Sequence, residues 1–338
     1  MSAPLVSVIL PVYNCELYIK ECVDSILQQT YQNFEVLIFN DGSTDNSLDE
    51  ILKFNDSRIK VFNSAINYGY VKHLNDGINL AKGDFIIRMD GDDICCKNRF
   101  SKLLEFMIKN PSIGVCGSYV KVFGDSKEYI WKLPLQNNSI KALLPFRIPF
   151  VHPSVIIKKS ILIANQINYQ NDYLPAEDYE IWCKLSKVTN FANLPIALLK
   201  YRQHKSQISK EKKTVQQNNS DRVRSKYFRE LLINDNDFNF YQNIVNEKIE
   251  CNLDFLKQIE RIFITMGNRN EKLKYFDSTA FQNELSFQFF RAATHISSNK
   301  IRTFNYFEKS YLSNKILVPV NLYFKFIIKN IFLIGKSK

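Results

Sequence analysis

Through the first 120 positions, short apolar runs alternate with amphipathic stretches. Leu5–Val12 is mostly apolar and of strand length, which predicts a strand buried on both faces. Asn14 is placed to cap a helix with Ile19, Cys22, Val23, Ile26 and Leu27 on one face. Phe34–Phe39 predicts a second strand, ending at Asn40-Asp41-Gly42, after which Ser43 or Thr44 would cap a helix reaching about Phe54. Ile59–Phe62 predicts a third strand, Val71–Ala81 a helix closed by Gly83, and Phe85–Met89 a fourth strand running into Asp90-Gly91-Asp92-Asp93. A helix over Lys97–Lys109 stops at Asn110-Pro111, and a further strand follows at Ile113–Val120. This alternation predicts an α/β fold with a mostly parallel central sheet flanked by helices.

Beyond residue 121 the rhythm is less regular. Val155–Ile157 is a short apolar run, and Tyr179–Ser186 reads as a helix preceded by the acids Glu177 and Asp178. Phe191–Tyr201 reads as extended segments broken by Pro195, and the polar stretch 205–220 as a linker or mobile loop. After 221 the pattern is helical and aromatic-rich. A length of 338 residues accommodates about two domains. We expect one over 1–210 and a mainly helical, basic one over 211–338, the latter in contact with a membrane or with the acceptor.

Charge sharpens this division. The net charge is +11, of which +3 falls in residues 1–210 and +8 in 211–338. From 285 onward nine basic residues face a single acid, Glu308, which calls for an anionic partner. The segment from Asn321 to Ile334 is too short and too charged to cross a bilayer, but it could lie on one. Without a basic stretch before its first apolar run, the amino terminus reads as a strand and not a signal peptide. Seven cysteines without a CxxC pair read as reduced, buried thiols, so a cytoplasmic location is expected.

In a parallel sheet, ligands gather at the carboxyl ends of the strands. Asn14, Asp41, and Asp90 with Asp92 follow the first, second and fourth predicted strands. Asp90, Asp92 and Asp93 are three oxygen donors suited to Mg²⁺ or Mn²⁺, although Asp-Gly-Asp-Asp is also ordinary turn chemistry. Asp41 could accept hydrogen bonds from a base or a sugar, or belong to a capping turn. Glu177 and Asp178 could be a capping pair, His152 and His204 structural histidines, and Arg88, Lys158, Lys159 and Arg202 strand-border cations or phosphate ligands. No GxGxxG and no GxxxxGK[ST] motif is present.

Taken in order, VSVILPVYN (6–14), EVLIFNDGSTD (35–45), NYG (67–69), NDGINLAKG (75–83), RMDGDD (88–93), HPSVII (152–157), EDYEIW (177–182) and YRQH (201–204) resemble the family 2 glycosyltransferases, which have the GT-A fold. The resemblance covers about residues 5–205. It implies that Pro11, Val12, Tyr13 and Asn14, with Asp41 on the base, hold the nucleoside of a nucleotide-sugar, most often a UDP-sugar. Asn67, Arg88 and Glu177 would join that donor site. Asp90 would lie near the ribose and the metal, Asp92 would be the main ligand of Mn²⁺ or Mg²⁺, and His204 would stand near the metal or diphosphate. Asp178 would be the general base of an inverting displacement, and His152 would line the acceptor side. Asn40 departs from the aspartate that many members carry there.

The resemblance further implies a saccharide acceptor, lipid-linked in many such enzymes, synthesis of lipopolysaccharide or capsule, and a peripheral position on the inner face of the cell membrane. A metal-dependent nucleotidyltransferase would need a phosphate-binding loop that SVILPVYN does not supply. A basic nucleic-acid-binding protein would leave the strand-end carboxylates unexplained, so nucleic acid is not an expected partner.

Overall fold

A computed structural model describes residues 3–205, 207, 212–250, 252–296, 300–313 and 320–331. The first compact unit contains Met1–Ile140 and Ile148–Val223. Its elements begin with β1 (Val6–Val12), α1 (Ile19–Leu27), β2 (Phe34–Asp41), α2 (Ser47–Leu52), β3 (Ile59–Ser64), α3 (Tyr70–Leu80), β4 (Phe85–Arg88), β5 (Ile94–Cys95) and α4 (Arg99–Lys109). They continue with β6 (Ile113–Gly124), β7 (Tyr129–Trp131), α5 (Asn137–Leu143), β8 (Ile156–Lys158), α6 (Lys159–Ala164), α7 (Glu177–Leu185) and β9 (Asn190–Gln203).

The nine strands form one sheet in the order β3-β2-β1-β4-β8-β6-β9-β5, with β7 pairing on β6. β3, β2, β1 and β4 run parallel to one another. β8 is antiparallel to both β4 and β6, β5 is antiparallel to β9, and β6 runs parallel to β9. The sheet is therefore mixed, and not the mostly parallel sheet expected from the sequence. Hydrophobic runs report burial on two faces, whereas strand direction is decided by how each connection returns the chain. β9 also continues through Pro195, because a register shift between Leu194 and Ala197 takes the proline out of the ladder.

Val6, Val8, Leu10 and Val12 on one face of β1 pack with Ile19, Cys22, Val23 and Ile26 of α1 in the core. On the other face, α3 comes close because residue 77 is glycine: a Cβ there would lie 2.6 Å from Ile9 Cγ2. Glu35, at the start of β2, ties three segments together. It accepts from Ser7 Oγ at 2.7 Å, from the Lys82 N–H at 2.7 Å and from Lys60 Nζ at 2.5 Å. Burial works to raise its pKa, but these three donors outweigh burial and hold it below the usual value.

Two predicted caps are not formed. α1 and α2 start without side-chain cap bonds. Asn14 instead accepts from the Thr44 N–H at 2.9 Å, joining the loops after β1 and β2, while Asp45 accepts from the Ser47 N–H at 2.9 Å. The predicted 205–220 linker is also revised, in that residues 213–220 open a helix, α8 (Lys213–Phe228). Its polar side chains hold backbone carbonyls: Gln216 that of Pro175 at 3.0 Å, Asn219 that of Leu174 at 2.7 Å and Arg222 that of Asp172 at 2.6 Å. A helix anchored in this way shows no apolar period. Residues 206 and 208–211 of the same stretch lie outside the described residues.

The second unit, Lys141–Arg147 with Arg224–Lys338, is mainly helical. It holds α9 (Asp235–Val245), α10 (Leu253–Leu273), α11 (Ser278–His295), α12 (Lys300–Lys309) and α13 (Val320–Ile331). Asn234, Asn252 and Asp277 cap α9, α10 and α11 through their side chains. Aromatic contacts fill the interior, including Phe146 against Phe263 at 5.7 Å and Phe307 against Phe326 at 5.3 Å. Among the described residues, no helix is long and apolar enough to cross a membrane.

Replacing Glu35 by Ala strands three donors and should cost about 2–4 kcal/mol in urea unfolding at pH 7. Since the native carboxyl titrates below its unfolded value, its contribution is present above the unfolded pKa and fades as pH falls through the native one. The stability gap between wild type and Glu35→Gln should therefore narrow from pH 7 to pH 3.

Candidate active site

The carboxyl ends of β1, β2 and β4 open on one edge of the sheet. Gly91 lets the loops after β1 and β4 meet, since a Cβ there would stand 3.2 Å from Cys15 Sγ. Asp90, Asp92 and Asp93 each offer one carboxylate oxygen, and these oxygens lie within 4.8 Å of one another. Arg88 pairs with Asp90, and His204 Nε2 stands 2.9 Å from Asp92 Oδ2. The Arg202 N–H donates to Asp93 Oδ1 at 2.8 Å, and Arg202 Nε donates to the Asp92 carbonyl at 2.8 Å. The Arg202 guanidinium lies 4.7 Å from the Tyr18 ring and 4.5 Å from the Phe123 ring, and it also donates to Glu21 at 2.6 Å.

Burial above all, and then the Asp92 charge, push Asp93 well above the usual carboxylate range. Burial likewise raises Asp90, although Arg88 opposes the shift. Asp93 Oδ2 is buried with no hydrogen-bond donor. Crowded hard oxygen donors with an unmatched buried oxygen among them suit a divalent cation, which would relieve the repulsion. This triad could therefore coordinate one, with His204 at its margin.

α7 supplies the second acidic group. Glu177 and Asp178 occupy its first turn, where the helix dipole favours negative charge. Glu177 is buried and hydrogen-bonded to the Tyr70 hydroxyl. Burial and the neighbouring Asp178 push its pKa up to about 8. Asp178 accepts from the Tyr179 N–H at 2.7 Å, and burial pushes it up to about 6. Arg88 lowers and Asp90 raises the Asp178 pKa, so α7 and the acidic loop share one electrostatic field. His152 is buried, with Nε2 2.8 Å from the Tyr169 hydroxyl and its ring edge-on to Trp182 at 5.7 Å. Burial and then Arg88 hold it well below the usual histidine range, hence neutral. Asn75 fixes Tyr169 through two bonds to its backbone, at 3.0 and 2.9 Å.

The residues expected on the nucleoside form a third group. Pro11 is half-buried and Val12 lies in the core, so only the backbone of Val12 can face a ligand. Tyr13 is exposed, and Asn14 has a left-handed φ of 51°. Asp41 is buried and already satisfied: it accepts from the Tyr68 N–H at 2.7 Å and the Gly69 N–H at 2.9 Å, and faces His73 Nε2 at 2.7 Å. Asn67 Oδ1 takes the same Gly69 N–H at 3.0 Å. The Asp41 carboxylate therefore shapes the 67–69 turn. Gly42 permits that turn to approach, having a φ of +67° and a Cβ position only 2.5 Å from the Ile66 carbonyl carbon.

Sequence reasoning missed Tyr70, His73, Tyr169 and Arg99. Tyr70 and His73 stand in the first turn of α3, where they resemble ordinary amphipathic positions. Arg99 is fully buried; it bonds the Pro153 carbonyl and, at 3.1 Å, the Arg88 carbonyl, fixing the end of β4 to the 152–154 turn. An arginine early in an amphipathic helix gives no such signal.

Residues 7–163 match the protein family described as Glycosyl transferase family 2. An uncharacterised glycosyltransferase of Haemophilus influenzae is 37% identical over 221 residues, covering 62% of this chain and 68% of that protein. An Escherichia coli UDP-Gal:alpha-D-GlcNAc-diphosphoundecaprenol beta-1,3-galactosyltransferase is 36% identical over 192 residues, covering 54% and 67% respectively. In fold, the chain is similar to residues 1–349 of S. aureus TarS crystallised with UDP-GlcNAc, with a TM-score of 0.54 and 19% identity over 96% of this chain and 81% of that one.

Because the native Glu177 pKa lies above its unfolded value, ionising it opposes folding, and stability falls as pH rises from about 4 toward 8. Glu177→Gln should therefore unfold at a higher urea concentration than wild type at pH 8, with the difference vanishing near pH 4.

Proposed function

The chain belongs to glycosyl transferase family 2, and on that premise we propose that it transfers a hexose or N-acetylhexosamine from a UDP-sugar to a saccharide hydroxyl, inverting the anomeric carbon. The observation that carries this reading is the meeting of two carboxylate groups, the Asp90–Asp93 loop and Glu177–Asp178, around Arg88 at one edge of the sheet. It supports a donor-side cation site and a separate proton acceptor. Asp90 and Asp92, with Asp93 and His204 beside them, would hold Mn²⁺ or Mg²⁺. The ion, when bound, offsets negative charge on the departing diphosphate.

Asp178 takes the proton of the attacking hydroxyl. With a pKa of about 6 it is ionised at neutral pH, while Glu177, at about 8, keeps its proton. That division stops two adjacent carboxylates from repelling one another at the moment the base is needed. Neutral His152 orients polar groups on the acceptor side without adding charge. Pro11, Val12, Tyr13, Asn14, Asp41 and Asn67 frame the nucleoside, Asp41 acting through the turn it fixes.

The donor named for the Escherichia coli relative supports UDP-galactose, and its named acceptor, alpha-D-GlcNAc-diphosphoundecaprenol, supports a lipid-linked saccharide in surface-glycan synthesis. The basic region after 285, together with the exposed Val320, Phe324 and Ile328 of α13, supports a peripheral position on an anionic membrane, at its cytoplasmic face.

Asp178→Asn should lower UDP release in the presence of acceptor by about 10²–10⁴-fold while donor binding persists. The wild-type rate should climb with pH through about 6 as Asp178 ionises. Calorimetric titration should show Mn²⁺ binding that Asp92→Asn weakens at least tenfold, and EDTA should stop turnover. Metal-independent turnover with an unaltered Asp92→Asn would refute the metal assignment.

A further inference from the structure

The β6–β7 hairpin carries an aromatic surface that the donor and base assignments leave unused. β7 pairs with β6 through Tyr129↔Val122, Ile130↔Lys121 and Trp131↔Val120. All three β7 side chains are exposed, at 48%, 44% and 38% for Tyr129, Ile130 and Trp131. Edge strands are ordinarily guarded by charge, so an exposed Tyr-Ile-Trp edge needs an explanation.

Register supplies the direction. Tyr129 and Trp131 share the face of β6 that carries the buried Val120 and Val122, and Val122 is flanked on its other side by Tyr201 of β9. The Trp131 and Tyr201 rings meet edge to face, with centroids 6.5 Å apart. Tyr201 in turn faces the acidic loop: burial first, then Asp93, Asp90 and Asp92, push its hydroxyl above the usual tyrosine range. The next residue, Arg202, holds Asp92 and Asp93 directly. Tyr201 therefore joins the exposed indole to the end of β9, whose next residue holds the acidic loop.

We infer that Trp131, backed by Tyr201, is the platform on which a sugar ring of the acceptor stacks. This inference rests on the transferase reading above. A pyranose presents an apolar C–H face and a rim of hydroxyls; the indole offers a flat apolar face, and Tyr129 offers a hydroxyl beside it. Continuity with the acidic loop favours an acceptor sugar over a second protein chain, because the platform leads into the site that would use it. Stacking by one exposed ring positions the acceptor and selects among sugars without touching the donor.

Fluorescence tests this directly, because the chain has only two tryptophans and Trp182 is fully buried, so acrylamide quenching reports Trp131. With UDP and Mn²⁺ present, the methyl β-glycosides of N-acetylglucosamine, glucose and galactose are titrated. At least one should reduce quenching saturably, by twofold or more. In UDP-release assays, Trp131→Ala should raise the half-saturating concentration of that glycoside at least tenfold. The half-saturating UDP-sugar concentration should move less than twofold, and Trp131→Phe should restore most of the loss. Quenching unaffected by every glycoside, or equal shifts for donor and glycoside, would overturn the platform. So would protection that grows with protein concentration alongside dimer formation in sedimentation, which would give the patch to a second copy. If no UDP-sugar is turned over, the transferase reading fails, while the quenching titration still decides whether Trp131 binds sugar.

Discussion

Holding three carboxylates within 4.8 Å of one another on a four-residue loop creates a repulsion that the surrounding chain is arranged to offset. Arg88 neutralises Asp90 from the end of β4, and Arg202 reaches in from the end of β9 to bond Asp93 and the Asp92 carbonyl. Arg202 is fixed in its turn between the Tyr18 and Phe123 rings and by Glu21. Even the buried Arg99 serves the same loop, tying the Arg88 carbonyl to the turn that carries His152. These cations offset the charge of the oxygen-lined loop.

The same field sorts the second acidic pair. Two neighbouring carboxylates at a helix start would ordinarily share one fate. Here burial and the Asp178 charge raise Glu177, whereas the Tyr179 N–H and then Arg88 oppose the effect of burial on Asp178, which separates their protonation near neutral pH. One group can then accept a proton while the other stays silent. His152, kept neutral by burial and by Arg88, adds no charge beside the acidic loop.

Much of this was legible in the chain, for identifiable reasons. The apolar runs at Leu5–Val12, Phe34–Phe39 and Phe85–Met89 became β1, β2 and β4, because runs of strand length without alternation, bounded by polar turn residues, suit strands covered on both faces. Asp41 and Asp90, at the ends of the second and fourth strands, were visible in the sequence as strand-end carboxylates. The direction of β8 was not legible, since a three-residue strand carries no period and direction follows from distant connections. The first half of α8, residues 213–220, was misread as linker because its polar side chains Gln216 and Asn219 face carbonyls of the 174–175 segment, an arrangement that removes the apolar rhythm used to recognise helices.

By itself the sequence determined where carboxylates could gather, because strand ends in such a sheet share an edge and the order of motifs along the chain is specific. It also determined that the C-terminal part would be helical and basic. Which acid is paired, which is neutral and which is already occupied was decided only by the tertiary structure. Asp41 is the clearest case, open in the sequence to a ligand or a capping turn and bonded in the fold to Tyr68, Gly69 and His73. Trp131 is the converse, an unremarkable residue in the sequence that packs against Tyr201 beside the acidic loop. Protonation and accessibility depend on neighbours brought from far along the chain, and no local pattern encodes those neighbours.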